Sequence, residues 1–241
     1  MRVAILSDIH GNLTAFDAVV ADIKTAAPDL VFHGGDLAGG GSCPSDIIDQ
    51  IRHLGWQGVM GNGDQMLCRP ESLEEFAAQS STPPALWASV REMAAATRDL
   101  LGTEQLSWLE RLPIAIASQG FAIVHATPQS CWKAAPTNAS DEELCQIYGG
   151  LERPIAVFGH VHIPSIKSLS GTLKFLINTG SVGLPFDGDP RASYLLLDDC
   201  TPIIRRVDYS VDKEVMLLSL SKIPHADWTV RMLRCSSPTL P

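Results

Sequence analysis

The 241-residue chain has no run of eighteen apolar residues, so no transmembrane helix is expected. Its first apolar run, Met1 to Leu6, meets Ser7 and Asp8 too early to form a signal-peptide core, which points to a cytoplasmic protein. Six cysteines, at positions 43, 68, 131, 145, 200 and 235, form no C-x-x-C pair, which argues against a zinc ribbon and a disulfide scaffold. Basic residues are in the minority, with 18 Lys and Arg against 27 Asp and Glu, a formal net charge of −9. Bulk nucleic-acid binding is therefore disfavoured. The glycine-rich stretches contain neither a G-x-x-x-x-G-K-S/T loop nor a G-x-G-x-x-G turn opening a helix. Gly40-Gly41-Ser42-Cys43-Pro44 lacks the closing glycine of the G-x-S-x-G nucleophile elbow, which removes the serine-hydrolase reading.

With 45% hydrophobic residues the chain can bury a substantial core. Arg2 to Leu6 reads as a strand, followed by a helix capped by Asn12 whose Leu13, Phe16, Val20 and Ile23 recur at spacings of three and four. The alternation continues with Leu30-Val31-Phe32, a helix from about Ser45 to Leu54, and a strand around Gln57 to Met60. Such alternation predicts a mostly parallel sheet covered by helices. Residues 65–112 read as a helical insertion, with helices from Leu86 to Leu101 and from Glu104 to Leu112. Short strands then follow around Phe121 to Val124, Ile155 to Phe158, Lys174 to Ile177, Tyr194 to Leu197 and Ile203 to Val207, spaced as in a second sheet. Residues 1–208 thus form the main domain, and 209–241 contribute a helix, Lys213 to Leu220, and a tail.

Five polar clusters stand directly after apolar strand runs: Asp8-Ile9-His10-Gly11, Gly34-Gly35-Asp36, Gly61-Asn62-Gly63-Asp64, His125-Ala126 and Gly159-His160-Val161-His162. In open α/β sheets the carboxyl ends of strands line the ligand crevice, so these side chains are expected to converge. Asp8, His10, Asp36, Asn62, His125, His160 and His162 offer carboxylate, amide and imidazole but no thiolate. That set suits catalytic divalent ions, manganese foremost, with iron, cobalt, nickel or zinc as alternatives. Seven ligands exceed the needs of one catalytic ion. Two ions roughly 3.5 to 4 Å apart, sharing a carboxylate, would make a centre suited to phosphoester hydrolysis.

The ordered motifs D-x-H, G-D, G-N-x-D/E, a lone His and G-H-x-H resemble those of the calcineurin-like metallophosphoesterase superfamily over residues 1–208. Ser7 to Leu13, Asn178 to Gly183 and Asp187 to Tyr194 are similar to its small bacterial branch of phosphodiesterases and diadenosine tetraphosphatase-like proteins. The resemblance implies a four-layer αββα sandwich of two mixed β-sheets flanked by helices. It also implies one ion held by Asp8, His10, Asp36 and His162, and a second held by Asp36, Asn62, His125 and His160. Asp36 bridges them, and the implied nucleophile is a hydroxide between the ions.

Two positions depart from the family pattern. Gly63 stands where the motif often carries a His that assists the leaving group, and Ala126 stands where this branch more often has Gly. Glycine cannot transfer a proton, so either another group or water serves as the acid or the substrate has a good leaving group, which phosphoanhydrides and activated diesters offer better than alkyl monoesters. The expected function is a phosphodiesterase or dinucleoside-polyphosphate hydrolase acting on a small phosphoester or nucleotide. A protein phosphatase or general monoesterase, and a non-catalytic metal- or nucleotide-binding protein, are the alternatives. Asp64 is expected to support the ligands, and Arg191 either clamps phosphate or pairs with Asp187 or Asp189. Trp87, Trp108 and Trp132 suit core packing or base stacking, while His33, His53 and His225 match no motif; His33 lies close to Asp36 in the chain.

Overall fold

The computed structural model describes residues 1–241. The first half runs β1 (Arg2–Leu6), α1 (Leu13–Ala26), β2 (Leu30–His33), α2 (Pro44–Leu54), β3 (Gln57–Gly58), α3 (Asn62–Cys68), α4 (Pro70–Ala77) and α5 (Pro84–Glu110). The next elements are β4 (Ala115–Ala117), β5 (Phe121–Val124), α6 (Asp141–Tyr148), β6 (Ile155–Phe158), β7 (Ser165–Ser168) and β8 (Phe175–Asn178). The chain ends with β9 (Ala192–Asp198), β10 (Thr201–Val207), α7 (Val211–Leu220) and α8 (Ala226–Cys235). No helix is long and apolar enough to cross a membrane.

Two five-stranded mixed sheets result, ordered β10-β9-β1-β2-β3 and β4-β5-β6-β8-β7. Parallel pairing of β1 with β2 and β2 with β3 follows from the helical crossovers between them. Alternation along β1 assigns its two faces: Val3 and Ile5 pack with Ile123, Val157 and Ile177 of the other sheet, while Ala4 and Leu6 pack with Phe16 and Ile47 of the covering helices. Leu144 and Tyr148 of α6 cover the outer face of the second sheet against Val124, Ala156 and Leu176. The layers are therefore helix, sheet, sheet, helix.

The last two strands differ from expectation. β9 and β10 join the first sheet, β9 lying antiparallel to β1, rather than extending the second. The hairpin between them explains this: once Leu195 and Leu197 fill the space between the sheets, β9 completes the open edge of β1. Helix α5 breaks at Gly102 (φ 67°, ψ 179°), close to the division expected from the sequence. Strands β4 and β7 and helices α4, α6 and α8 add to the expected elements. β7 is exposed along its whole length and carries no apolar alternation to announce it.

His33 ends β2 fully buried, and neither ring nitrogen has a hydrogen-bond partner. Its ring lies 6.3 Å from that of Trp108, and burial pushes its pKa down to about 3. The folded chain keeps this imidazole neutral while the unfolded chain protonates it near its ordinary value of about 6.5. Its stabilising contribution is thus complete above that value and declines as pH falls toward 3. A His33→Leu variant should lose about 1.4 kcal/mol per pH unit of this acid-side slope between roughly pH 6 and 4. Denaturant unfolding of both proteins at successive pH values measures it; identical slopes would refute the assignment.

Candidate metal centre

The loops after β1, β2, β5 and β6, with the start of α3 after β3, bring the seven proposed ligands to one end of the sandwich. Asp8 is 0% exposed and Asp36 4%. Asp8 Oδ1 lies 3.2 Å from His162 Nε2 and 4.0 Å from both His10 Nε2 and His125 Nε2. Asp36 turns one oxygen to each side, with Oδ2 3.7 Å from His10 Nε2 and Oδ1 3.5 Å from His125 Nε2. Asn62 Oδ1 sits 3.0 Å from His125 Nε2 and 2.8 Å from His160 Nδ1. The ligand atoms form two overlapping groups, Asp8-His10-His162 and Asp8-Asp36-His125. Asp8 belongs to both groups, and Asp36 turns an oxygen to each side.

Backbone carbonyls orient the imidazoles. His10 Nδ1 donates to the Gly39 carbonyl at 2.8 Å, His125 Nδ1 to Gly34 at 2.7 Å and His162 Nδ1 to Leu184 at 2.6 Å. A carbonyl only accepts, so each ring carries a proton on Nδ1 and aims Nε2 inward. His10 Nε2 and His162 Nε2 lie 3.1 Å apart. Burial pushes His10 down, and burial followed by the His125 charge pushes His160 down to about 4, so both rings are held neutral. Burial alone would raise the Asp8 carboxyl, but His162 first and then His125 hold it below the usual carboxylate range. No Lys or Arg pairs with Asp8 or Asp36; their ion-pair partners are all imidazoles. Buried carboxylates with no Lys or Arg beside them are costly without added positive charge. The donor set therefore fits divalent cations.

The backbone is strained at the same places. Asp8, His10, Asp36, His160 and His162 all have positive φ, between 50° and 67°. Such conformations cost of order 1 kcal/mol or more in residues with a Cβ and concentrate at functional sites.

Residues with no assigned role in the sequence motifs hold these ligands in place. Ser7 Oγ donates to Asp8 Oδ2 at 2.6 Å, and Ser181 Oγ donates to the Asp8 carbonyl at 2.7 Å. Asn178 Nδ2 donates to the Gly159 carbonyl at 2.6 Å, next to His160. Asn178 and Ser181 fall in the Asn178 to Gly183 segment that carried part of the resemblance, and its function in the fold is to brace the D-x-H and G-H-x-H loops.

A model of the calcineurin-like phosphoesterase superfamily domain matches residues 1–201. The chain belongs to this superfamily. It is accordingly a metallophosphoesterase, a hydrolase of a dinuclear-metal enzyme superfamily. An uncharacterized protein of Methanocaldococcus jannaschii is 32% identical over 243 residues, covering 92% of this chain and 93% of its own. The crystal structure of a metallophosphoesterase from Sphaerobacter thermophilus superposes with a TM-score of 0.78 at 25% identity, covering 98% of this chain and 100% of that one. A hypothetical protein from Pyrococcus horikoshii shares the fold at 17% identity and a TM-score of 0.83, over 99% of both chains.

The remaining candidates lie as follows. Asp64 is fully buried, and its carboxylate accepts from the backbone N–H of Asp36 (2.8 Å), Leu37 (2.9 Å) and Gly61 (3.0 Å). It ties the loop bearing Asp36 to the start of the helix bearing Asn62, while burial and the Asp36 charge raise its carboxyl to about 6. Arg191 is exposed and paired with Asp189 through Nε at 3.0 Å and Nη2 at 2.6 Å, so the ion-pair reading describes it. Trp132 donates to Gln65 at 2.6 Å and packs with Trp87 around Phe76, while Trp108 packs on the main core. His225 pairs with Glu92.

Proposed function

We propose that this phosphoesterase hydrolyses phosphodiesters or phosphoanhydrides, of the phosphodiesterase or dinucleoside-polyphosphate class, with good leaving groups, using two divalent ions, manganese foremost. The observation that carries the reading is the buried cluster of carboxylates, imidazoles and Asn62 around Asp8 and Asp36, which has no Lys or Arg of its own. Asp8, His10, Asp36 and His162 would hold one ion, and Asp36, Asn62, His125 and His160 the other. Bound divalent ions supply an acidified water and neutralise phosphate oxygens. The protein's own contribution is orientation: three Nδ1-to-carbonyl bonds lock the imidazoles, and Asp64 braces Asp36.

Gly63 supports the choice among substrates. Its N–H donates to Asp36 Oδ1 at 2.7 Å, and a Cβ built there would lie 3.0 Å from the same oxygen. The position thus contributes a backbone donor to the carboxylate and no proton to a departing alkoxide. A leaving alcohol must draw its proton from water, which favours acidic leaving groups over alkyl ones.

With manganese-loaded protein and a series of aryl phosphodiesters, kcat/KM should fall steeply as leaving-group pKa rises, by about tenfold for each one to two units. Comparison with aryl monoesters and diadenosine tetraphosphate places the protein among the classes. A flat dependence, with chemistry shown to limit the rate, would reveal an acid in the site and contradict this reading.

A further inference from the structure

A second cavity opens beside the metal centre. It has a volume of about 130 Å³, and His10, Gly39 and Gly40 contribute to its lining. Its other walls are Met66 of α3, Met93 of α5, Leu184, and Trp228 and Met232 of α8. Trp228 and Met232 lie beyond residue 201, where the family match ends, so this chain's C-terminal helix shapes the cavity.

The lining offers no charge and few free polar atoms. Thr97 Oγ1 donates to the Met93 carbonyl at 2.9 Å and Thr229 Oγ1 to the Gly40 carbonyl at 3.1 Å. Trp228 Nε1 donates to the Thr239 carbonyl at 2.8 Å, and His10 Nδ1 is engaged with Gly39. A nucleobase placed here would leave its polar edge unpaired, which is costly. A phosphate would meet no cation. Apolar cavities of about 150 Å³ hold benzene, and three methionine side chains adapt readily to such a guest.

We propose that this cavity receives the compact, uncharged aryl group of a phosphoester whose phosphate lies at the metal centre. The proposal rests on the phosphoesterase reading above and narrows it, because His10 belongs both to the ligand cluster and to the cavity wall. It makes the preferred substrate an ester of an apolar phenol rather than a nucleotide.

Phenylphosphonate and methylphosphonate, titrated into zinc-loaded protein carrying methyl-labelled methionine, test it without turnover. Phenylphosphonate should bind about tenfold or more tightly, since its ring leaves water for an apolar wall. It should shift the methyl resonances of Met66, Met93 and Met232 and leave those of Met1 and Met216, both exposed at the surface, in place. Val90→Trp, which adds bulk to the wall, and Met232→Gln, which makes it polar, should each erase the preference; either variant with an undisturbed spectrum elsewhere suffices. Equal affinities with silent cavity methyls would overturn the proposal and leave the phosphoesterase reading standing. Failure of both phosphonates to bind, together with no turnover of any phosphoester, would overturn both.

Discussion

Asp36→Asn should cut kcat/KM on an activated aryl phosphodiester by about a thousandfold or more while leaving the fold intact. The two side chains have nearly the same shape, and Asn tolerates the left-handed backbone that Asp36 adopts at φ 55°. The Gly63 N–H at 2.7 Å still finds an acceptor oxygen. What disappears is the charge: Asp36 turns Oδ2 toward His10 and Oδ1 toward His125, so one substitution weakens both halves of the centre. Losing a group that only supports a ligand costs about 10- to 100-fold in affinity or activity, and a ligand shared by two ions should cost more. Metal analysis beside the kinetics separates lost ion from lost chemistry. Full activity in this variant would contradict the assignment.

Gly61→Ala should be nearly as damaging for a different reason. A Cβ at Gly61 would stand 2.0 Å from Asp36 Oδ1 and 2.3 Å from the Asp36 backbone nitrogen. Backbone cannot swing aside as the end of a flexible side chain does. Relief requires moving the β2 loop away from α3, against the three N–H bonds that Asp64 makes across the same junction. Overpacking of this kind costs about 1 to 3 kcal/mol and occasionally more, and here the displaced group is also a proposed ligand. Thermal unfolding with and without metal should show a lower midpoint and a reduced metal-induced gain. A variant that matched the parent in both would show that the junction yields more easily than its geometry implies.

The site was more legible than the fold around it. Asp8, His10, Asp36, Asn62, His125, His160 and His162 each follow an apolar strand run or open the next helix, and the residue types declare the chemistry. The placement of β9 was not legible, because Leu195 and Leu197 could fill either sheet equally well by alternation alone. The choice is made by a long-range contact with β1. Helix α8 was hidden by its flanks, since Pro224 and the tail from Ser236 to Pro238 read as loop, whereas tertiary packing of Trp228, Met232 and Leu233 stabilises it. The roles of Ser7, Asn178 and Ser181 depend on hydrogen bonds to backbone groups brought near only by folding. The sequence leaves Arg191 between a phosphate clamp and an ion pair; in the structure it pairs with Asp189, two residues away.

The central claim is that this chain assembles a two-metal centre from these seven residues. Anomalous diffraction from crystals soaked in manganese, collected on both sides of its absorption edge, tests it most directly. The account predicts two peaks about 3.5 to 4 Å apart, one beside Asp8, His10 and His162 and one beside Asn62, His125 and His160, with Asp36 between them. Absence of peaks at saturating metal, or peaks outside this cluster, would contradict it.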